Sequence, residues 1–172
     1  MILAAGLGTR LRPLTFEKAK PAIPLWGKAI IVRLIDKLGR LGISQFRTNL
    51  HHLPYTVQQL FLKNEIPWAS VSFSLEPTIL GTAGGLKANE SFFQDGTFIV
   101  ANGDIVMDFE LEEAVRFHKT QKALATLILL RQQKPFRFYP VRIDENGRLV
   151  HFKEEHAAQP DESPVYVFTG IH

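Results

Sequence analysis

Arg10, Arg12 and Lys20 stand close behind the glycines of Ala4-Ala5-Gly6-Leu7-Gly8-Thr9, and Lys20 is placed directly before Pro21. Glycine lets a backbone approach a ligand closely, and successive N–H groups in a turn make a concave anion site. A guanidinium and an ammonium add full positive charges suited to phosphate oxygens. Together these residues have the means to hold a polyphosphate. They do not form a P-loop, because no Gly-Lys-Ser/Thr follows the glycines. Nor do they form the dinucleotide fingerprint, since Pro13 interrupts any helix opening at Gly8. A glycine-rich turn with solvated basic residues would use the same side chains, and the short motif alone does not separate the two.

Other chemistry-bearing residues are scattered. Asp104 ends the apolar run Phe98-Ile99-Val100-Ala101 after Asn102-Gly103. A carboxylate there is a hard oxygen ligand suited to Mg²⁺, or else a turn or capping aspartate. Asp108 reads as a cap for a helix expected from Leu111. His51 and His52 are adjacent after a strand and would face opposite ways, so they read as structural rather than as a metal pair.

These residues need elements to position them. Ile2–Ala5 reads as a buried strand that delivers the chain into the glycine loop. Residues 29–41 carry apolar side chains at helical spacing, with Arg33, Asp36, Lys37 and Arg40 on the polar side. Strands are expected over 44–50, 70–75, 98–101 and 123–130, and helices over 54–63, 84–93 and 111–121. Residues 141–144 and 149–152 read as a hairpin across Asn146-Gly147. Residues 157–164 read as a loop and 165–172 as an apolar strand. The alternation argues for an α/β layered sheet, mostly parallel, with an antiparallel portion late in the chain. In such sheets ligands bind outside the carboxyl ends of the strands, where the glycine loop lies.

Composition narrows the class. With 172 residues, 45% hydrophobic, the chain can bury one sizeable core. It has no cysteine, which removes disulfides and thiolate metal sites and fits a reducing compartment. The formal charge of +3 is not gathered into a basic stripe, so a nucleic-acid role fits badly. No apolar run is long enough to span a bilayer, and no signal peptide is seen. A cytoplasmic protein without membrane or nucleic-acid partners is expected.

The longer pattern LAAGLGTRLRPLT, followed by KAKPAIPLWGKAII, closely resembles the signature of the sugar-1-phosphate nucleotidylyltransferases, or NDP-sugar pyrophosphorylases. LEPTILGTAGGL resembles that family's nucleobase segment, VANGDIVMDF its metal-binding strand end, and FTGIH its sugar-facing strand. The resemblance implies a Rossmann-like three-layer sandwich with a mixed, mostly parallel central sheet. It implies one nucleotidyltransferase domain over 1–172, with part of the protein expected beyond it. The implied reaction joins an NTP and a sugar-1-phosphate, with Mg²⁺, into an NDP-sugar and pyrophosphate.

Carried over by residue, Arg10 and Lys20 are the catalytic candidates. Ala5, Gly6, Gly8 and Thr9 would hold the nucleotide's phosphates. Glu76, Gly81 and Thr82 would meet base and ribose. Asn102, Glu154, Thr169 and Gly170 would face the sugar phosphate, and Asp104 would hold the metal. Many relatives carry Phe-x-Glu-Lys-Pro in the sugar segment, whereas here Phe152-Lys153-Glu154-Glu155-His156 puts Glu155 at the lysine's place. A carboxylate beside a phosphate is repulsive, so either Lys153 takes over or the sugar is held differently. The family's second acidic metal ligand has no matching segment. LGTAGGL leans towards GTP and mannose-1-phosphate. The missing lysine, with FTGIH, leans towards UTP and N-acetylmuramate-1-phosphate. A non-catalytic nucleotide-sugar-binding module is the third expectation, and a homo-oligomer is left open.

Overall fold

A computed structural model describes residues 1–62, 66–93, 96–132, 140–152 and 164–172. The first element is the short strand β1 (Ile2–Leu3), followed by a loop of three 3₁₀ turns over 9–11, 14–16 and 20–22. A small hairpin, β2 (Pro24–Leu25) and β3 (Lys28–Ala29), leads into helix α1 (Ile30–Gly39). Its apolar stripe, Ile31, Val32, Leu34, Ile35 and Leu38, is buried in the core together with Ile2, Phe46 and Leu50. That burial is what makes this stretch a helix in place: the spacing lays one continuous apolar face onto the sheet.

Strand β4 (Gln45–Leu50), helix α2 (Pro54–Leu62) and strand β5 (Ser70–Leu75) follow. Pro54 opens α2, where its missing N–H costs no hydrogen bond. Helix α3 (Gly81–Ala88) precedes strand β6 (Ala101–Asn102), helix α4 (Glu112–Gln121) and strands β7 (Leu129–Arg131), β8 (Val141–Ile143), β9 (Leu149–Phe152) and β10 (Tyr166–Phe168). Among the described residues, no helix is long and apolar enough to cross a membrane.

The strands form two larger sheets. One is parallel, in the order β5-β4-β1-β6, and the other antiparallel, in the order β7-β10-β8-β9. An antiparallel bridge between Ala101 and Ile171 joins them, supported by Val100 and His172, which exchange backbone hydrogen bonds. The result is the expected Rossmann-like α/β fold with a mixed sheet. Register matters for the site. Ile2 pairs with both Thr48 and Ala101, so Leu3 lies between Asn49 and Asn102 at the carboxyl ends of three neighbouring strands.

Several boundaries differ from the sequence reading. The helix expected over 84–93 begins at Gly81 and gives way to a 3₁₀ turn over 90–93. The strand expected over 98–101 is regular only at Ala101–Asn102, and that expected over 123–130 only at Leu129–Arg131. Backbone partners reach these segments towards their ends, at Val100 and Ile128, and Phe98 and Leu124 stay exposed. Asp108 does not cap α4: Leu111 holds the N-cap position and no side chain caps it. The hairpin across Asn146-Gly147 forms as expected, with Gly147 at φ +75°. The loop expected at 157–164 lies, up to residue 163, outside the described residues.

Candidate active site

A cleft of about 330 Å³ opens at the carboxyl ends of the parallel strands. Ala5, Gly6, Gly8, Thr9 and Arg10 line it from the loop after β1, and Lys20 and Pro21 from the third 3₁₀ turn. Ile79, Gly81 and Thr82 form the opposing wall, while Asn49, Asn102 and Asp104 rise from the strand ends. Residues far apart in sequence therefore meet where an open α/β sheet binds ligands.

The glycine loop is shaped for an anion. Gly8 sits in the left-handed region, at φ 63° and ψ 27°, and the 3₁₀ turn over 9–11 follows at once. Within the described residues, the backbone N–H groups of Gly6, Gly8, Thr9 and Arg10 have no hydrogen-bond partner. Unpaired N–H groups in a left-handed-to-right-handed turn are the donors of an anion nest. The loop is braced from behind. Thr15, almost fully buried, donates its hydroxyl to the Gly8 carbonyl at 3.0 Å, and His52 Nε2–H donates to the Thr15 carbonyl at 2.6 Å. Nothing larger than glycine fits at position 8, because a Cβ there would lie 2.8 Å from Thr15 Cγ2 and 3.2 Å from Lys20 Cβ.

Lys20 and Asp104 meet directly, with Nζ 2.5 Å from Oδ2 and both side chains about a quarter to a third exposed. The turn carrying Lys20 is held by Ala19 N–H, which donates to Thr56 Oγ1 at 3.1 Å. Among the described residues no group of three or more His, Cys, Asp or Glu gathers as a metal cage. One carboxylate at the edge of a phosphate site still fits Mg²⁺, which keeps several waters and takes its remaining ligands from substrate phosphates.

Of the base segment, Gly81 and Thr82 line the cleft from the first turn of α3 rather than from a loop before a helix. Glu76 is placed differently from the expectation. It is 4% exposed, lies behind the wall, and spends both carboxylate oxygens on Asn49 Nδ2 and Leu80 N–H. His51 donates from Nδ1 to the Glu76 carbonyl at 2.8 Å, so both adjacent histidines are structural, as read.

The sugar half divides. Asn102 lines the cleft, and its own N–H donates to the Gly170 carbonyl at 2.8 Å. Gly170 is packed under the Asn102 side chain, and Thr169 donates its hydroxyl to the Ile128 carbonyl at 2.8 Å. Neither lines the cleft: Gly170 helps join the two sheets through Asn102, and Thr169 is tied to Ile128 within the antiparallel one. Glu154, with Lys153 and Glu155, lies outside the described residues. The sequence reading missed Asn49. A polar amide inside the otherwise buried run Thr48-Asn49-Leu50 was the available signal, since a buried amide must find partners.

Residues 1–171 match the family model described as nucleotidyl transferase. A UTP–glucose-1-phosphate uridylyltransferase of Synechocystis sp. is 35% identical over the whole chain and 47% of its own length. The mannose-1-phosphate guanylyltransferase catalytic subunit beta of Dictyostelium discoideum is 32% identical over 98% of the chain and 48% of its own length. Among solved structures, a provisionally identified glucose-1-phosphate thymidylyltransferase from Bacillus anthracis superposes with a TM-score of 0.81. It is 25% identical over 99% of this chain and 68% of its own. The chain spans about half the length of the curated relatives it matches.

Proposed function

The chain belongs to the nucleotidyl transferase family, and from that premise we propose that it forms an NDP-sugar and pyrophosphate from an NTP and a sugar-1-phosphate. The pair we assign is GTP and mannose-1-phosphate. An oxygen of the sugar phosphate attacks the α-phosphorus, the bond from that phosphorus to the β-phosphate's bridging oxygen breaks, and pyrophosphate leaves with the electron pair. Such transfers need alignment and charge neutralisation more than a covalent nucleophile. The cleft supplies both without a Ser-His-Asp arrangement.

The observation that carries the reading is the convergence of the unpaired N–H groups of Gly6, Gly8, Thr9 and Arg10, the Lys20 ammonium and the Asp104 carboxylate in one cleft. The N–H groups and Thr9 hold the β- and γ-phosphates, with Arg10 on the leaving pyrophosphate. Lys20 neutralises the α-phosphate and the incoming sugar phosphate. Asp104 would hold Mg²⁺, which when bound supplies charge neutralisation along the triphosphate. The Lys20–Asp104 pair keeps each charge compensated within the cleft. Gly81 and Thr82 offer a small-residue wall for a flat base, and Asn102 stands on the sugar side.

A second reading takes UTP, favoured by the uridylyltransferase from Synechocystis, which shares slightly more identity than the guanylyltransferase. Pyrophosphate release measured for four NTPs against several sugar-1-phosphates, with Mg²⁺, separates the two. Release with GTP and mannose-1-phosphate alone is expected. Release only with UTP replaces it by the second reading. Tight binding of a nucleotide sugar with no release under any pairing overturns the enzyme and leaves a binding module.

A further inference from the structure

We propose that Asn49 and Glu76 are a positioning pair that holds the phosphate wall and the base wall of the cleft at a set separation. The role rests on the nucleotide-binding reading above. Ala4 N–H, at the end of β1 just before the glycine loop, donates to Asn49 Oδ1 at 2.9 Å. Asn49 Nδ2 donates to Glu76 Oε1 at 2.8 Å, and Leu80 N–H donates to Glu76 Oε2 at 3.0 Å. Leu80 is the N-cap residue of α3, whose first two residues, Gly81 and Thr82, line the cleft. One chain of three hydrogen bonds thus runs from the phosphate loop to the base wall.

The polarity of this chain is forced. Backbone N–H groups stand at both ends and can only donate, so the Asn49 oxygen must face Ala4 and its amide nitrogen must face Glu76. Glu76 must accept at both oxygens, as an ionised carboxylate does and a neutral amide cannot. The pair is buried, Asn49 at 3% and Glu76 at 4% exposure, and no described cation is bridged to Glu76. A buried carboxylate answered by neutral donors alone is a costly way to build a link that serves only the fold. Helix α3 crosses directly over the pair: a Cβ on Gly85 would lie 2.9 Å from Asn49 Nδ2 and 3.1 Å from Glu76 Oε1. Separation between the two walls is therefore set by this contact and not by a compressible apolar layer.

The polarity rule gives a sharp test. Glu76→Gln leaves one oxygen for two donors. Asn49→Asp sets a second carboxylate against the first. The double variant N49D/E76Q restores all three bonds. The carboxylate introduced at position 49 accepts from Ala4 and from the amide introduced at position 76, and the oxygen of that amide accepts from Leu80. In thermal denaturation each single variant is expected to melt about 5 °C or more below wild type, and the double within about 2 °C of it. Calorimetric titration with GTP and with UTP is expected to show Kd for the nucleotide that wild type binds about tenfold weaker in Glu76→Gln. KM for the sugar phosphate is expected to stay within about twofold. A double variant whose melting loss is the sum of the two singles overturns the hydrogen-bonded pair. A Glu76→Gln protein that melts early yet binds nucleotide like wild type overturns the positioning role. Wild type that binds neither nucleotide removes the functional reading and the positioning role with it, while the melting cycle still decides whether the pair exists.

Discussion

Replacing Gly8 by alanine tests how the phosphate loop is built, and its cost can be worked from the geometry. A left-handed conformation costs an L-residue about 1–2 kcal/mol, and Gly8 has φ +63°. The new methyl would also press on Thr15 Cγ2 at 2.8 Å and Lys20 Cβ at 3.2 Å. Thr15 cannot retreat, being buried and bonded to the Gly8 carbonyl, so overpacking adds about 1–3 kcal/mol. The sum, about 2–5 kcal/mol, lowers Tm by roughly 5–15 °C in a chain of this size. Gly6→Ala is the control. Its Cβ would meet nothing within 4 Å, so stability should change by less than about 0.5 kcal/mol. Gly6 lines the cleft, however, and its methyl would stand where the triphosphate must approach the backbone. Differential scanning fluorimetry and NTP titration on both variants complete the assay. Gly8→Ala should lose stability and binding together, Gly6→Ala binding alone. A Gly8→Ala protein with wild-type Tm would refute the loop geometry, and a Gly6→Ala protein with wild-type affinity would refute the phosphate cradle.

Lys20→Ala should lower kcat by at least about a hundredfold, as loss of one preorganised charge does. Its Tm should move little, because a partly exposed ion pair contributes at most about 1 kcal/mol; stopped-flow pyrophosphate release would show unchanged turnover if the role is wrong. Asp104→Asn should raise the Mg²⁺ concentration for half-maximal rate about tenfold or more, and an unshifted metal titration would remove Asp104 from the metal site. Thr169→Val should cost about 1 kcal/mol by breaking the bond to Ile128, and leave KM for the sugar phosphate unaltered. A raised KM with normal stability would return Thr169 to the sugar subsite.

The buried carboxylate behind the cleft differs from the exposed pairs in what it can do. Lys37 and Glu110 pair on the surface, where Lys37 draws the Glu110 carboxyl below its usual range. Such a pair is replaceable, because water solvates either partner once the other is gone. Glu76 has no such recourse. Its charge is answered by donors whose positions define the cleft, so the same residue type is disposable at one site and constraining at the other.

The glycine loop, Arg10, Lys20 and Asp104 were legible in the sequence as candidates: backbone freedom and charge offered a phosphate site, and a strand-end carboxylate offered a metal ligand or a cap. Only the longer family pattern chose between these and their structural alternatives. The α1 stripe was legible because helical spacing alone sorts buried from exposed positions. What the sequence could not supply is which distant residues face one another. Lys20 and Asp104 touch because β1 and β6 are neighbours in the sheet, an outcome of strand order. Asn49 enters the cleft because its strand pairs in register with Leu3. Glu76, expected to meet the base, lies behind the wall because two donors hold its carboxylate there, one of them from β4. Thr169 and Gly170 lie away from the cleft for the same reason: Ile128 claims the backbone of one, and Asn102, beside the bridge at Ile171, claims that of the other. Residue type sets what a side chain can do, and tertiary packing decides which partner is close enough for it to be done.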